Sequence, residues 1–201
     1  MALLFWQSFL HYSFLSIDLA LRACFILIGE KICKGEAMNR KDILGNEIKS
    51  ECIGCAIVHG EVNLPGGIIY DGESIILAAD PEIPIPGFLI ITCKRHIQSF
   101  AELTADERAE IGNTIAITER AIKNLKIAEI VTLVQEERSK HFHIWIFPNQ
   151  QWMLEKFGYG LKYLRDINAF AKDNASDADI ENVIRTAEEI KKYIESEDKH
   201  D

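Results

Sequence analysis

Five short apolar runs and one longer amphipathic segment organise the middle of the chain. The runs cover residues 68–70, 74–79, 87–92, 128–135 and 141–147. Short β-rich runs with turn residues between them predict antiparallel strands. A capping box begins at Thr104 and ends at Glu107, and isoleucines at 111, 115 and 122 follow it at helical spacing. This pattern predicts one amphipathic helix that ends near Leu125.

After Pro148 the chain changes to helical periodicity. Residues 160–172 and 179–194 carry apolar side chains at every third or fourth position. The whole pattern therefore predicts an α+β fold, with an antiparallel sheet, one capped central helix and additional C-terminal helices. We expect a main domain over residues 38–150 and a C-terminal helical extension over residues 151–201.

The first 37 residues do not match the rest of the chain. They are apolar, but Asp18 and Arg22 interrupt them, and they have neither the basic start nor the small-residue cleavage site of a signal peptide. Residues 34–38 can be encoded by a purine-rich tract before an ATG, as in a translated bacterial ribosome-binding site. We therefore expect Met38 to be the native start and residues 1–37 to be a translated leader or non-native extension. A peripheral membrane anchor is the alternative.

Composition narrows the classes of function. The chain has 201 residues, 48% of them hydrophobic, and a net charge of −9. This acidity argues against broad binding to nucleic acid or to an anionic membrane, although a small phosphate site remains compatible with it. The five cysteines are odd in number and contain one C-x-x-C spacing, which suits a reducing, cytoplasmic location.

The run at 141–147 carries the most specific chemistry. His141, His143 and Trp145 alternate with Phe142 and other apolar residues. Because side chains alternate across a strand, the two imidazoles and the indole share one face and the apolar residues pack on the other. Both histidines could simply be satisfied by hydrogen bonds, but two at this spacing favour a functional role.

This segment resembles the motif of the histidine triad (HIT) family, His-φ-His-φ-His-φ-φ with φ apolar, except that Trp145 stands in the place of the third histidine. The resemblance covers about residues 50–148, including the order of strands and the capped helix. It implies a HIT-like antiparallel sheet with helices and a homodimer. It also implies that His143 attacks the α-phosphate of a nucleotide, a role that neutral imidazole can fill near pH 7.

Cys52 and Cys55 have a spacing at which two thiolates can bind one Zn²⁺. Some bacterial members of the resembled family complete such a pair with two histidines, and the matching positions are His96 and His141. The resemblance thus implies a structural zinc site. A reduced thiol pair without metal is the alternative, and a thioredoxin-like redox pair is less favoured because no β-α-β pattern surrounds the cysteines.

Asp80 occupies a position where the family often has a residue that binds ribose hydroxyls. A carboxylate suits this role because it offers only acceptors, although Asp80 is nearly as well explained as a cap of the turn before Pro81. Ile68, Leu77 and Phe88 are candidates for the border of the base pocket, and apolar strand residues are otherwise part of the core.

The loop before the motif departs from the family. Ser139 and Arg138 are candidate phosphate contacts, but Glu136 and Glu137 oppose an anion. Trp145 can donate one hydrogen bond but cannot pass a proton to a leaving group. A phosphate leaving group would suffer least from this loss, so the expected substrate is a purine nucleoside polyphosphate or dinucleoside polyphosphate. The function is then a nucleotide hydrolase or nucleotidyltransferase, and the alternative is a non-catalytic nucleotide-binding or zinc-stabilised interaction module.

Overall fold

A five-stranded antiparallel sheet forms the centre of the molecule. The computed structural model describes residues 40–136 and 139–197, all of which lie in one compact unit. The order across the sheet is β3-β4-β5-β7-β6, with β3 at Ile68–Asp71, β4 at Ile75–Ala79, β5 at Leu89–Cys93, β6 at Val131–Gln135 and β7 at His143–Pro148. All five predicted strands are confirmed. The prediction for residues 1–37 lies outside the described residues.

Five α-helices surround this sheet in the described part of the chain. They are α1 at Ile53–Val58, α2 at Ala105–Asn124, α3 at Gln151–Phe157, α4 at Leu164–Asn174 and α5 at Asp177–Glu197. The predicted capping box at Thr104 is present at the start of α2. The α+β fold with one capped helix and C-terminal helices is therefore confirmed. The short helix α1 and a two-residue ladder between β1 at Arg40–Lys41 and β2 at Glu47–Ile48 were not predicted.

The two faces of the sheet carry separate apolar clusters. Trp145 and Phe147 belong to the cluster on what we call the His143 face, together with buried residues of α1, α3 and α4. Phe142, Ile144 and Ile146 belong to the cluster on the opposite face, which α2 and α5 cover. The predicted alternation of side chains along β7 is thus confirmed. The C-terminal extension packs on both faces and so helps to cover both clusters.

Within residues 40–136 and 139–197, none of the helices combines the length and the apolar character needed to cross a membrane.

Candidate functional site

The first part of the site lies at the start of α1. Cys52 is the N-cap of this helix, and its Sγ accepts a hydrogen bond from the backbone N–H of Cys55 at 3.4 Å. Residues three apart at a helix start lie on the same side of the helix. The local fold therefore turns both thiols in one direction.

Two histidines approach these thiols from neighbouring strands. His96 follows the end of β5 and His141 precedes the start of β7, and β5 and β7 pair antiparallel with Thr92 opposite His143. The end of one strand and the start of the other therefore meet at the same edge. The two imidazole rings lie with their centroids 4.8 Å apart.

The four side chains form a cluster with the geometry of a metal site. The Nδ1 atom of His96 lies 3.5 Å from Cys52 Sγ and 3.1 Å from Cys55 Sγ, and the Nδ1 atom of His141 lies 3.4 Å from each sulfur. All four ligand atoms lie within 4.8 Å of one another. In a tetrahedral zinc site, bond lengths of about 2.3 Å to sulfur and 2.0 Å to nitrogen give S···N separations of about 3.5 Å. The predicted set of Cys52, Cys55, His96 and His141 is therefore able to hold zinc.

Hydrogen bonding prepares His141 for this role. Its Nε2 atom lies 2.7 Å from the carbonyl oxygen of Cys93, and because a carbonyl only accepts, Nε2 must carry the proton. The lone pair is then on Nδ1, which faces the sulfurs. Burial raises the pKa of the Cys52 thiol, but hydrogen bonding, including that from the backbone N–H of Cys55, outweighs burial and lowers this pKa to about 6. A thiolate and a neutral imidazole are the forms that bind zinc.

Gly54 makes the approach of α1 to His141 possible. A Cβ atom at this position would overlap the imidazole ring of His141. The residue between the two cysteines is therefore restricted by the space that the buried ring requires.

The second part of the site begins two residues further along the chain. The Nδ1 atom of His143 lies 2.9 Å from the carbonyl oxygen of His141, so Nδ1 donates and Nε2 carries the lone pair. The side chain is half-buried on the His143 face. Burial lowers the pKa of His143, while the hydrogen bond to His141 and the negative charge of Glu136 oppose this shift. His143 therefore presents a neutral, oriented nitrogen of the kind that acts as a nucleophile.

Trp145 lies beside His143 and is largely buried. The centroid of its ring is 6.4 Å from that of His143 and 5.3 Å from that of Phe88, which it meets edge to face. Only 9% of its surface is exposed. The residue in the third motif position therefore packs in the apolar cluster on the His143 face. Its indole also lies next to the imidazole of His143.

Ser139, in the described part of the loop before β7, makes its hydrogen bonds within the protein. The hydroxyl of Ser139 donates a hydrogen bond to the carbonyl oxygen of His141 at 3.0 Å and accepts one from the N–H of His141 at 3.1 Å. The backbone N–H of Ser139 donates to Glu136 at 2.9 Å. Ser139 therefore orders the chain around His141. Arg138 lies outside the described residues.

The predicted nucleotide-binding residues do not all reach the His143 face. Phe88 and Ile68 contribute to its apolar cluster. Leu77 is fully buried in the opposite cluster. Across β5, the β4 residues in register with His143 and Trp145 are Ile76 and Ala78. Leu77 lies between these two residues and so points to the other face. The structure therefore does not bring Leu77 to the His143 face.

Asp80 directly follows β4, at the start of a turn. Its Oδ1 atom accepts hydrogen bonds from the N–H groups of Glu82 at 2.8 Å and Ile83 at 2.9 Å. Burial raises the pKa of Asp80, and these two hydrogen bonds oppose that shift. Burial has the larger effect, so the resulting pKa is about 7. Asp80 therefore caps the turn before the proline-rich loop, as the alternative interpretation of the sequence proposed. Its role with ribose stays a prediction.

Arg165 was missed by sequence reasoning, and so was its pairing with Glu136. Arg165 of α4 donates to Glu136 at 2.6 Å, and its guanidinium carbon lies 5.6 Å from the centre of the Trp145 ring. Glu136 had been considered only as a negative charge that would oppose phosphate. An isolated arginine on a C-terminal helix carries no motif, so only the tertiary packing of α4 reveals its position.

Comparisons with known proteins support the fold. No protein-family model matches the chain, and no curated protein matches it. Among solved structures, a zinc-bound histidine triad family protein from Mycobacterium smegmatis matches with a TM-score of 0.53 and 16% identity, over 75% of this chain and 97% of its own. A Hit-like protein from Bartonella henselae involved in cell-cycle regulation gives 0.52 and 15%, over 71% and 95%.

A hypothetical histidine triad nucleotide-binding protein from Sulfolobus tokodaii also matches, with a TM-score of 0.52 and 19% identity over 72% of this chain and 93% of that protein. At these identities the similarity is one of fold. The predicted HIT-like fold is therefore confirmed, and the clustered cysteines and histidines occur in a chain whose fold is shared with a zinc-bound protein.

Proposed function

We propose that this protein is a nucleotide hydrolase or nucleotidyltransferase that acts on a purine nucleoside polyphosphate or dinucleoside polyphosphate through a nucleotidyl-His143 intermediate. The observation that carries this proposal is the orientation of His143. Its Nδ1 atom is held by the carbonyl oxygen of His141, which leaves the lone pair on Nε2 in a half-buried position. The similarity in fold to a histidine triad nucleotide-binding protein supports the same substrate class.

In the proposed reaction, Nε2 of His143 attacks the α-phosphorus of the nucleotide. A P–N bond forms while the P–O bond to the leaving phosphate or polyphosphate breaks, and the electron pair departs on that oxygen. Water, or an acceptor phosphate in a transferase, then attacks the same phosphorus and the electron pair of the P–N bond returns to Nε2. The proton of the attacking water passes to solvent. A covalent intermediate divides one difficult displacement into two easier ones.

The surrounding residues have simpler proposed roles. The indole of Trp145 cannot serve as a general acid, so the first step suits a leaving group that is already a stable anion. Asp80 uses Oδ1 for both of its turn hydrogen bonds, and we propose that Oδ2 binds ribose. The border of the base pocket is proposed to include Phe88 and Ile68, which contribute to the apolar cluster on the His143 face.

The test of this proposal is rapid quench of the full chain mixed with each of the four α-³²P-labelled nucleoside triphosphates and, separately, with labelled diadenosine tetraphosphate. Mass spectrometry of the peptides that span residues 141–156 should then find the nucleotidyl group on His143. Turnover without a phosphoramidate adduct at any time point would contradict the covalent mechanism. Failure to turn over any of the four nucleoside triphosphates or the dinucleotide would contradict the enzymatic function.

A non-catalytic nucleotide-binding or zinc-stabilised interaction module is the second candidate. The observation that favours it is the burial of Trp145 in the core of the His143 face, in the position where the resembled motif has its third histidine. Nucleotide binding measured by equilibrium dialysis, together with no turnover in the rapid-quench experiment, would favour this candidate over the enzyme.

For zinc we propose a structural role in which the metal joins α1 to β5 and β7. All four ligands are protein side chains, and His141 has only 1% of its surface exposed, as in closed structural sites. The full chain should contain close to one zinc per chain, and Cys52→Ser should reduce that content and lower the free energy of unfolding by about 3 kcal/mol. Cys93→Ser is the matched control, because this buried thiol lies outside the cluster. A metal-free wild-type protein whose stability equals that of Cys52→Ser would contradict the zinc site.

The homodimer implied by the resemblance also belongs to this proposal. Strand β6 lies at one edge of the sheet, and the nearby side chains of Ile130 and Leu133 are 52% and 44% exposed. An edge strand with exposed apolar residues is suited to pairing with a second copy. Analytical ultracentrifugation should give twice the mass of the chain, and Leu133→Lys should shift the protein toward monomer.

A further inference from the structure

Two serines each hold a candidate zinc ligand by the same pair of hydrogen bonds. The Ser50 hydroxyl donates to the carbonyl oxygen of Cys52 at 2.9 Å and accepts from the N–H of Cys52 at 3.2 Å. The Ser139 hydroxyl makes the same two bonds with His141, at 3.0 and 3.1 Å. A hydroxyl can do this because it has one donor and two acceptor lone pairs. Each serine therefore fixes both backbone groups of the residue two positions later.

His141 needs such a partner because it lies just before the paired part of β7. The carbonyl oxygen of the next residue, Phe142, accepts a hydrogen bond from Cys93 of β5 at 3.4 Å. Successive residues of an extended chain turn their backbone groups to opposite sides, so those of His141 face away from β5. Strand β6 lies on that side of β7 but ends at Gln135. The Ser139 hydroxyl thus takes the place of a strand partner.

The carbonyl oxygen of His141 also holds the proposed nucleophile. It accepts a hydrogen bond from Nδ1 of His143 at 2.9 Å as well as the one from the Ser139 hydroxyl. A carbonyl oxygen has two lone pairs, so it can accept both hydrogen bonds. The direction of this oxygen depends on the backbone conformation of His141, and Ser139 fixes that conformation on both sides of the Cα atom. One oxygen atom therefore connects Ser139 to His143.

Ser139 is itself held by the protein. Its N–H donates to Oε2 of Glu136 at 2.9 Å, and Oε1 of the same carboxylate accepts from Arg165 of α4 at 2.6 Å. Glu136 and His141 are both buried. The single hydrogen of the Ser139 hydroxyl is directed at the carbonyl oxygen of His141. Ser139 is therefore placed to hold this oxygen in one direction.

We propose that Ser139 is a positioning residue for His143, because its hydroxyl fixes the carbonyl oxygen that keeps the proton of His143 on Nδ1 and the lone pair on Nε2. This inference rests on the function proposed above, in which Nε2 attacks phosphorus. Neutral imidazole has two tautomers, and the hydrogen bond to this oxygen selects one of them. Ser139 acts through His141 and touches no substrate, so its loss affects the rate of attack rather than the binding of nucleotide.

Two other roles for Ser139 predict different results. If the hydroxyl contacted a phosphate, Ser139→Ala would raise KM and leave the tautomer of His143 unchanged. If the hydroxyl only held a zinc ligand, its loss would act like the loss of the Ser50 hydroxyl, which holds Cys52 in the same way. The tautomer of His143 separates these roles, because it is measured without nucleotide.

The experiment records the imidazole nitrogens of His143 by ¹⁵N NMR of the full chain at about pH 8, where a histidine of ordinary pKa is neutral. The two nitrogen shifts are far apart in a single tautomer and approach each other when both tautomers are populated. The wild type should show a protonated Nδ1 and an unprotonated Nε2. Ser139→Ala should bring the two shifts together, and Ser139→Thr, which keeps the hydroxyl, should restore the wild-type shifts.

Kinetics of the same variants test the consequence for the reaction. The substrate is the one that the wild type turns over fastest among the four nucleoside triphosphates and diadenosine tetraphosphate. Ser139→Ala should lower kcat by roughly 10- to 100-fold and change KM by less than about twofold. Ser139→Thr should keep kcat close to the wild type.

Ser50→Ala is the matched control, because it removes the same two hydrogen bonds from another member of the cysteine and histidine cluster. It should keep the wild-type nitrogen shifts of His143 and the wild-type kcat, even where the zinc content falls. Equal changes of these shifts in Ser50→Ala and Ser139→Ala would overturn the inference, since the effect would then come from the cluster as a whole.

The remaining outcomes separate this inference from the proposed function. If the wild type turns over no substrate, the proposed enzymatic function is wrong and Ser139 has no reaction to support. If the wild type is active and Ser139→Ala keeps its nitrogen shifts, or changes KM alone, the role of Ser139 is wrong while the proposed function stands. If Ser139→Ala does not fold, the isosteric pair Ser139→Thr and Ser139→Val, which differ in the hydroxyl, provides the same comparison.

Discussion

His141 and His143 are two residues apart in the chain, yet the structure gives them opposite roles. The Nε2–H group of His141 donates a hydrogen bond to the carbonyl oxygen of Cys93, and Nδ1 faces two sulfurs. His143 donates from Nδ1 to the carbonyl oxygen of His141, and its lone pair is on Nε2. The comparison teaches that the backbone carbonyl beside each imidazole selects the nitrogen that the ring offers, and so distinguishes the candidate metal ligand from the proposed nucleophile.

The surroundings of the two histidines differ in the same direction. The neighbourhood of His141 is closed, since the ring has 1% of its surface exposed and its partners are all side chains or backbone of the protein. The neighbourhood of His143 is half-open and includes the exposed Arg165 side chain near Trp145. One end of the motif is therefore enclosed by protein groups, and the other is partly exposed.

The largest expected effect tests the open end. His143→Asn keeps the approximate size of the side chain and a hydrogen-bonding group but removes the nucleophilic nitrogen. We expect kcat for nucleotide turnover to fall by about 10³-fold or more, while zinc content and thermal stability stay close to the wild type. His59→Asn is the control, because His59 is exposed at the end of α1. Wild-type turnover in His143→Asn would remove the functional difference between the two histidines.

The second prediction disturbs the closed end without changing any ligand. Gly54→Ala places a methyl group where the ring of His141 lies, so we expect the free energy of unfolding to fall by about 2 kcal/mol together with the zinc content. Gly112→Ala is the control, because a Cβ at Gly112 on α2 meets no atom within 4 Å. An alanine there should stabilise the helix by up to about 1 kcal/mol. Equal zinc contents and stabilities in the two variants would show that His141 is not held as described.

The sequence predicted the cluster around His141 more completely than the surroundings of His143. The alternation of His141, His143 and Trp145 and the spacing of Cys52 and Cys55 are local patterns, and the geometry of strands and helix starts converts them directly into positions. Leu77 was placed in the base pocket, but the parity of β4 is set by its register with β5, which no local pattern encodes. Arg165 was missed because its partner Glu136 is 29 residues away.

The pKa values of two carboxyl groups, Glu107 and Asp80, are shifted in opposite directions. Hydrogen bonds from Arg95, in the segment that holds His96, lower the pKa of Glu107 to about 2, whereas burial raises that of Asp80, near Glu82, to about 7. Glu107 contributes stability that is present above its ordinary pKa of 4.5 and is lost as pH falls through about 2. Asp80 contributes stability that is present below its ordinary pKa of 3.8 and is lost as pH rises through about 7.

The third prediction uses this difference in sign. Between about pH 4 and 7, Asp80 is protonated in the folded protein and ionised in the unfolded chain. The free energy of unfolding should therefore fall with rising pH, by at most about 1.4 kcal/mol per pH unit. Asp80→Asn should remove this slope, and Glu107→Gln should leave it in place while lowering stability at neutral pH. Urea unfolding of the full chain at several pH values gives the slopes. A slope that is unchanged in Asp80→Asn would mean that the carboxyl group is ionised throughout this range.

The smallest expected effect concerns the residue that separates this protein from the full histidine motif. Trp145→His restores a group that can donate a proton to a leaving group, so we expect little change in turnover of ATP. Turnover of an adenosine phosphoramidate, whose amine leaving group needs a proton, should rise by about tenfold relative to that of ATP. Because Trp145 packs edge to face on Phe88, the variant will also lose stability, and Trp145→Phe is the control that removes the indole without adding a proton donor. The ratio of the two rates cancels losses common to both substrates. An unchanged ratio in Trp145→His, equal to that in Trp145→Phe, would mean that this position lies too far from the leaving group to deliver a proton.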